Sequence, residues 1–277
     1  ERMAVLIEAD KFEEFKQLAY EENLDSCIVA VVTEERRLVM SFHGEEIVNI
    51  SRDFLDTNGV RGLQDVLIRE GLSDTDPFHS KVTSVEENLK QPNVASQIGL
   101  AEMFDASIGK STVLMPFGGK YQLTETEGSV QKLPVFGFTN TCSIMTHGYH
   151  PELSLYSPYL GASYSVVEAL ARVTAMGGNY ETCRLTNQEY FERLHTDPEK
   201  WGKPMQALLG LIEAEMAFET PAIGGKDSMS GTFNDISVPP TLITFAVTTE
   251  KTEHIISPEF KEAGHHIYYI KHTPNDN

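Results

Sequence analysis

The run Gly224-Gly225-Lys226-Asp227-Ser228-Met229-Ser230 carries the residue types that bind a phosphate or a nucleotide. Two adjacent glycines let backbone N–H groups approach an anion closely. Lys226 can neutralise anionic charge. Asp227 can hold Mg2+, a hard cation that takes oxygen ligands and shares substrate phosphates. Ser228 and Ser230 add hydroxyl donors. The pattern is not a Walker A loop, because G-x-x-x-x-G-K-[ST] is not met. Spacing alone leaves two readings open: a nucleotide loop, or a capped turn leading into a strand.

Other residues could also do chemistry. Glu168 sits among apolar neighbours in Val166-Val167-Glu168-Ala169-Leu170. A glutamate there is costly to bury unless it is paired or bound to a metal. Arg172 follows four residues on, at salt-bridge spacing for a helix. Residues 146–158 contain His147, Gly148, His150 and Pro151, a loop suited to ligand contact. No third ligand stands at a diagnostic spacing, so a zinc site is not read. Gly118-Gly119-Lys120 could cradle an anion or simply turn a hairpin. Cys142, in the polar run Thr139-Asn140-Thr141-Cys142-Ser143, is a candidate nucleophile without a readable base.

These residues need elements to position them. Residues 3–7 read as a strand, and residues 12–19 as a helix capped by Asp10 with Glu13 as capping-box partner. Residues 26–32, 37–42 and 47–50 follow as strands, with His43-Gly44-Glu45-Glu46 as a turn. A linker is expected at 58–80, with a short helix at 63–70 and Asp74-Thr75-Asp76-Pro77 closing it. Helices are expected at 85–89 and 94–104, and strands at 112–117 and 134–139. Gly161 to Met176 is the clearest helix, with Ala162, Val166, Leu170 and Val173 on one face and Gly177-Gly178 as its stop. Asn187 is expected to cap a short helix to Leu194, and Pro204 to open a helix to Phe218. Residues 241–248 read as a strand, 259–263 as a helical turn and 266–271 as a strand. Both ends of the chain are expected to be cuts within domains.

The chain has 277 residues, a prior of about two domains. With 41 acidic and 22 basic residues its formal net charge is −19. Such a chain repels nucleic acid and anionic membranes, so neither is expected as a partner. An anionic substrate must then be held by local devices, such as a lysine or a helix N-terminus. Three cysteines, none in a C-x-x-C pair, fit a reducing compartment, and the expected location is cytoplasmic. No stretch approaches the length of apolar residues that a membrane span needs.

Taken together, Met115-Pro-Phe-Gly-Gly-Lys-Tyr-Gln122, Ser157-Pro-Tyr-Leu-Gly161, Gln188-Glu-Tyr-Phe-Glu-Arg193 and Gly224-Gly-Lys-Asp-Ser-Met-Ser230 resemble the phosphoribosylformylglycinamidine synthase family of large-chain type. The opening strings Glu1-Arg2-Met3-Ala4-Val5, Glu21-Glu22-Asn23-Leu24 and Arg52-Asp-Phe-Leu-Asp-Thr-Asn-Gly59 support this, so the resemblance covers essentially the whole chain.

The resemblance implies an α/β (α+β) fold of the aminoimidazole-ribonucleotide-synthetase-like, or PurM-like, kind. Residues 1–57 would end a first C-terminal-half domain, 58–80 would link, 81–250 would form a second N-terminal-half domain, and 251–277 would begin its C-terminal half. It implies an ATP- and Mg2+-dependent amidotransferase acting on formylglycinamide ribonucleotide with glutamine as amide donor. Gly224, Gly225, Lys226, Asp227, Ser228, Ser230, Gly118, Gly119, Lys120 and His150 would bind nucleotide or substrate. Glu168 and Asp227 would bind metal. The family's catalytic histidine and its glutaminase triad match no position here, so no catalytic residue is assigned and the chain alone is expected to be inactive. Its partners would be the remaining PurM-like and glutaminase domains, or a second copy paired through the N-terminal-half domain.

Two departures stand out. Arg172 replaces an asparagine that accompanies the metal-binding glutamate in the family, and Gly137 falls where a metal-binding aspartate is expected. The auxiliary nucleotide site that these residues serve would then be altered or empty, with Glu168 held in a salt bridge. The alternative to an enzyme part is a non-catalytic nucleotide-binding or scaffold piece. Selenophosphate synthetase, a relative in the same superfamily, is disfavoured because no Cys nucleophile opens a glycine-rich loop.

Overall fold

The computed structural model describes residues 2–57, 59, 62–69, 82–103 and 111–271, in two units divided between Leu63 and Gln64. The first unit holds helix α1 (Phe12–Glu21), the antiparallel hairpin β1 (Arg37–Phe42) and β2 (Glu45–Ser51), and a single turn α2 (Arg52–Leu55). His43 and Gly44 make the hairpin turn with positive φ, the geometry whose twist matches the flanking strands. Asp10 does not cap α1; a 3-10 turn covers Ala9–Lys11, and Lys11 sits at the cap position without a side-chain capping bond. The strands expected at 3–7 and 26–32 do not form. An apolar run becomes a strand only against a ladder partner, and these runs, with Val29 81 % exposed, have none among the described residues.

In the second unit, α3 (Val85–Leu89) is capped by Ser84, and α4 (Ile98–Glu102) follows. The latter is the described part of the helix expected at 94–104; Phe104 lies outside the described residues, as do Glu70 and residues 74–77. Residues 63–69 are not helical: Leu67 N–H donates to the Pro198 carbonyl at 2.9 Å, tying the segment to another element rather than to itself. Strands β3 (Phe117–Gly118) and β4 (Thr124–Glu125) form a small hairpin.

The main sheet is built from β5 (Gly128–Lys132), β6 (Thr141–Gly148), β7 (Arg184–Tyr190), β8 (Ala222–Lys226) and β11 (Thr241–Lys251), in the order β5-β6-β11-β7-β8. All neighbours are antiparallel except β7 and β8. Between β8 and β11 lies the short hairpin β9 (Thr232–Phe233) and β10 (Ile236–Ser237). Of the strand expected at 112–117, a bridge from Thr112 to Gln131 and the first residue of β3 remain. Residues 134–139 are not a strand but the link from β5 to β6, turned by Gly137 at φ +92°. The helical turn at 259–263 and the strand at 266–271 are likewise absent.

One face of the sheet is covered by α5 (Pro151–Tyr156), α6 (Pro158–Ala175) and α7 (Pro198–Phe218). Each starts with a side-chain cap followed by proline at the first turn, where its missing N–H costs nothing. His150 caps α5, Ser157 caps α6 and Asp197 caps α7. Pro204 therefore lies inside α7, not at its start. Ala162, Val166, Leu170 and Val173 form the buried stripe of α6 against Ile144, Leu185, Leu242 and Ala246. Two hydroxyl contacts fasten helix to sheet, and a third within the helix leaves no polar atom of Ser165 orphaned. Thr146 Oγ1 donates to the Ala169 carbonyl at 2.7 Å, Ser165 Oγ donates to the Ala162 carbonyl at 2.7 Å, and Ser165 Oγ lies 2.8 Å from Thr244 Oγ1.

Asn187 does not cap a helix to Leu194. Residues 184–190 are β7, with Leu185, Asn187 and Glu189 facing the helices and Thr186, Gln188 and Tyr190 facing away. Polar side chains on the buried face conceal the alternation in sequence, while tertiary pairing overrides local preference.

Cys142 and Cys183 are buried and Cys27 is exposed. Burial pushes the Cys183 thiol up to about 11, and burial with the nearby Glu250 raises that of Cys142. The thiolate is the reactive form, so Cys142 is no nucleophile. A disulfide reagent at neutral pH is expected to label only Cys27 in the native chain and all three thiols after denaturation. Rapid labelling of a second native thiol would contradict this packing.

Candidate functional site

The edge strand β8 ends at Lys226, and the chain continues beside the end of β7. Gly225 pairs with Asn187 and Lys226 with Gln188. Beyond the ladder the contact persists: Ser228 N–H donates to the Glu189 carbonyl at 3.2 Å, and its own carbonyl accepts from Phe191 N–H at 2.9 Å. Gly231 N–H returns to the Phe191 carbonyl at 2.9 Å. The segment is thus a strand followed by a stitched turn, the reverse order of the turn leading into a strand that spacing allowed. Ser228 and Ser230 hydroxyls stand 2.9 Å apart. Gly224 to Asp227 are exposed, and Lys226 makes no ion pair among the described residues.

Glu189, which sequence reading did not single out, faces the helices from β7. It is only 8 % exposed, and its Oε1 has no hydrogen-bond partner. Burial, reinforced by the neighbouring Asp227 carboxylate, pushes its pKa up to about 7. Two like charges near each other disfavour ionising both, so Glu189 keeps its proton longer. The signals in sequence were its place in the Gln188–Arg193 string and its alternate spacing from Leu185 and Asn187.

Because the native pKa lies above the unfolded value, the native state holds the proton longer. Stability therefore declines as pH rises from 4.5 to about 7 and levels off above. In the presence of a chelator, Glu189→Gln is expected to gain on the wild type by about 1–2 kcal/mol from about pH 5 to about pH 8, less than the full shift because solvent screens Asp227. Parallel denaturation curves at the two pH values check it.

The remaining candidates are placed elsewhere. Glu168 Oε1 lies 2.9 Å from Arg172 Nη2, and its Oε2 accepts from Tyr149 N–H at 2.8 Å. Arg172 also reaches Glu127 at 3.2 Å and donates to the His147 carbonyl at 2.7 Å. A Mg2+ ion at Glu168 does not fit, because a guanidinium already engages one of its oxygens and Tyr149 N–H the other. Near Asp227 the buried Glu189 keeps one oxygen without a hydrogen-bond partner. Among the described residues no group of three His, Cys, Asp or Glu side chains stands ready to hold a metal. His150 Nδ1 accepts from Leu153 N–H at 3.1 Å as the cap of α5, so that ring nitrogen is taken. Gly118 and Gly119 turn the β3–β4 hairpin against the side chain of Glu259. Hydrogen bonds from Lys261 and Ser257, with its own backbone N–H, hold the Glu259 carboxyl down at about 2. A phosphate bound beside those glycines would meet that anion.

No family model matches the chain. Its sequence is 24 % identical over 282 residues to phosphoribosylformylglycinamidine synthase subunit PurL of Lacticaseibacillus paracasei, and 25 % over 289 residues to that of Staphylococcus haemolyticus. Each match takes in the whole of this chain but 36 % of the relative. Among solved structures, PurLQS from Thermotoga maritima aligns with TM-score 0.65 and 18 % identity over 91 % of this chain and 38 % of that one. T. maritima PurL complexed with ATP aligns with TM-score 0.64 and 16 % identity, over 92 % and 38 %. The complex of the same protein with FGAR aligns with TM-score 0.62 and 16 % identity, over 91 % and 37 %. The chain has the α/β PurM-like fold of these structures and is similar, along its whole length, to an internal stretch of phosphoribosylformylglycinamidine synthase subunit PurL.

Proposed function

We propose that the chain is part of the ATP-dependent amidotransferase that makes formylglycinamidine ribonucleotide in purine biosynthesis. It would contribute a nucleotide-binding PurM-like half. The observation that carries this reading is the Lys226–Asp227 pair, exposed at the end of β8 and backed by the unpartnered carboxylate oxygen of Glu189.

In the proposed reaction the formamide oxygen of formylglycinamide ribonucleotide takes the γ-phosphoryl group and ADP leaves. Ammonia drawn from glutamine then forms the new C–N bond as the C–O bond to phosphate breaks. Lys226 would neutralise phosphate charge, and the Ser228 and Ser230 hydroxyls would donate to phosphate oxygens. Asp227, with Glu189 behind it, would hold Mg2+, which supplies charge neutralisation between phosphates. Because the chain spans 36 % of its relatives, turnover is assigned to the whole protein, in the cytoplasm.

The sheet face away from the helices bears Met145, His147, Tyr190 and the partly exposed Ile243, Phe245 and Val247. An apolar face needs a cover, and a sister N-terminal-half domain or a second copy of this chain would supply it. Light scattering is expected to show a concentration-dependent dimer that Phe245→Glu returns to monomer; a monomer at all concentrations would remove the second-copy reading.

Saturation-transfer NMR tests the ligands. ATP with Mg2+ and formylglycinamide ribonucleotide should each receive magnetisation from the folded chain, and Asp227→Ala should abolish the ATP signal. Transfer to neither ligand would leave the scaffold reading.

A further inference from the structure

The guanidinium of Arg172 is surrounded by three oxygens from three parts of the fold. Glu168 Oε1 on α6 lies at 2.9 Å, Glu127 Oε1 just before β5 at 3.2 Å, and the His147 carbonyl of β6 at 2.7 Å. The other Glu168 oxygen is taken by Tyr149 N–H at 2.8 Å. Two carboxylates and a carbonyl are the donor set of a hard divalent cation. The Arg172 side chain is only 19 % exposed against 61 % for Glu127, so the charge sits within the cluster rather than above it. His147, whose pKa is lowered by burial and then by Arg172, brings no second positive charge.

We infer that Arg172 is a resident cation occupying the seat that a divalent metal would take among Glu127, Glu168 and the His147 carbonyl, which makes this centre metal-independent. A guanidinium cannot lose its proton and its fork matches two acceptors at once. It therefore ties α6 to β6 and to the entry of β5 at any ambient metal concentration. Arg172 lines a 350 Å3 cavity together with Ser129, Met145 and Phe245.

The test is Mn2+ binding, read by electron paramagnetic resonance in an Asp227→Ala background so that the loop does not contribute. The Arg172 chain is expected to bind no Mn2+ that Glu168→Gln removes, and its melting temperature should not change with chelator. Arg172→Ala is expected to gain an ion, with affinity at least tenfold above the parent, and to lose it again on adding Glu168→Gln. Arg172→Lys, which keeps a charge, should gain none. Mn2+ bound in the parent and lost with Glu168→Gln would overturn the inference, as would a folded Arg172→Ala chain that binds nothing. Should Arg172→Ala fail to fold, the parent and its Glu168→Gln partner still decide.

Discussion

Gly148→Ala is expected to lower the melting temperature of the second unit by about 6–12 °C, from a loss of about 3 kcal/mol. Helix α6 crosses β6 at this glycine with no room between them. A Cβ there would overlap the Ser165 carbonyl oxygen and come within 2.9 Å of Ala169 N. Both are helix backbone atoms, so the helix must move as a body. Moving it breaks the Thr146 bond to the Ala169 carbonyl and the Ser165–Thr244 contact, and loosens the stripe of Ala162, Val166 and Val173. Interiors packed like crystals have no slack to absorb such a shift. Gly224→Ala serves as the control, since a Cβ there meets nothing within 4 Å. Calorimetric scans should separate the two variants, and a shift of less than about 3 °C for Gly148→Ala would contradict the packing.

Gly225→Val is expected to weaken Mg2+–ATP binding by more than about tenfold while costing only about 1–2 kcal/mol of stability. Its Cβ would lie 2.6 Å from the Asn187 carbonyl. Because β8 is an edge strand, it can swing away from β7 and leave the core intact. Lys226 pairs with Gln188 in the same ladder, and Ser228 hangs from Glu189 and Phe191. Swinging the strand therefore carries the cation and hydroxyls out of position together. Equal affinity in variant and wild type would show that the ladder does not position the loop.

Much of the architecture could be read from residues. The stripe Ala162, Val166, Leu170 and Val173 is the buried face of α6, and the β1–β2 hairpin, α3 and β11 lie where their patterns pointed. The failures have physical causes. Asn187 and Glu189 face inward on β7, so period-2 patterning carried no apolar signal there. Thr141 to Gly148 is a central strand whose buried face alternates Cys142, Ile144, Thr146 and Gly148, a mixture that reads as polar loop. Residues 26–32 carry strand residues without a ladder partner among the described residues, and pairing cannot be read from one segment. At the candidate site the motif Gly224–Ser230 was legible because its chemistry is contiguous. Glu189 was not, since its meaning depends on Asp227 lying across the chain. The ion pair of Glu168 with Arg172 was legible from four-residue spacing, whereas Glu127 and the His147 carbonyl belong to other elements.

The central claim is that a nucleotide site lies on the segment from Gly224 to Ser230. Calorimetric titration of the chain with ATP and Mg2+, beside the double variant Lys226→Ala, Asp227→Ala, tests it most directly. Saturable binding by the chain, lost in a variant that melts at the same temperature, is the predicted result. Undiminished binding by the double variant would place the nucleotide elsewhere and contradict the account.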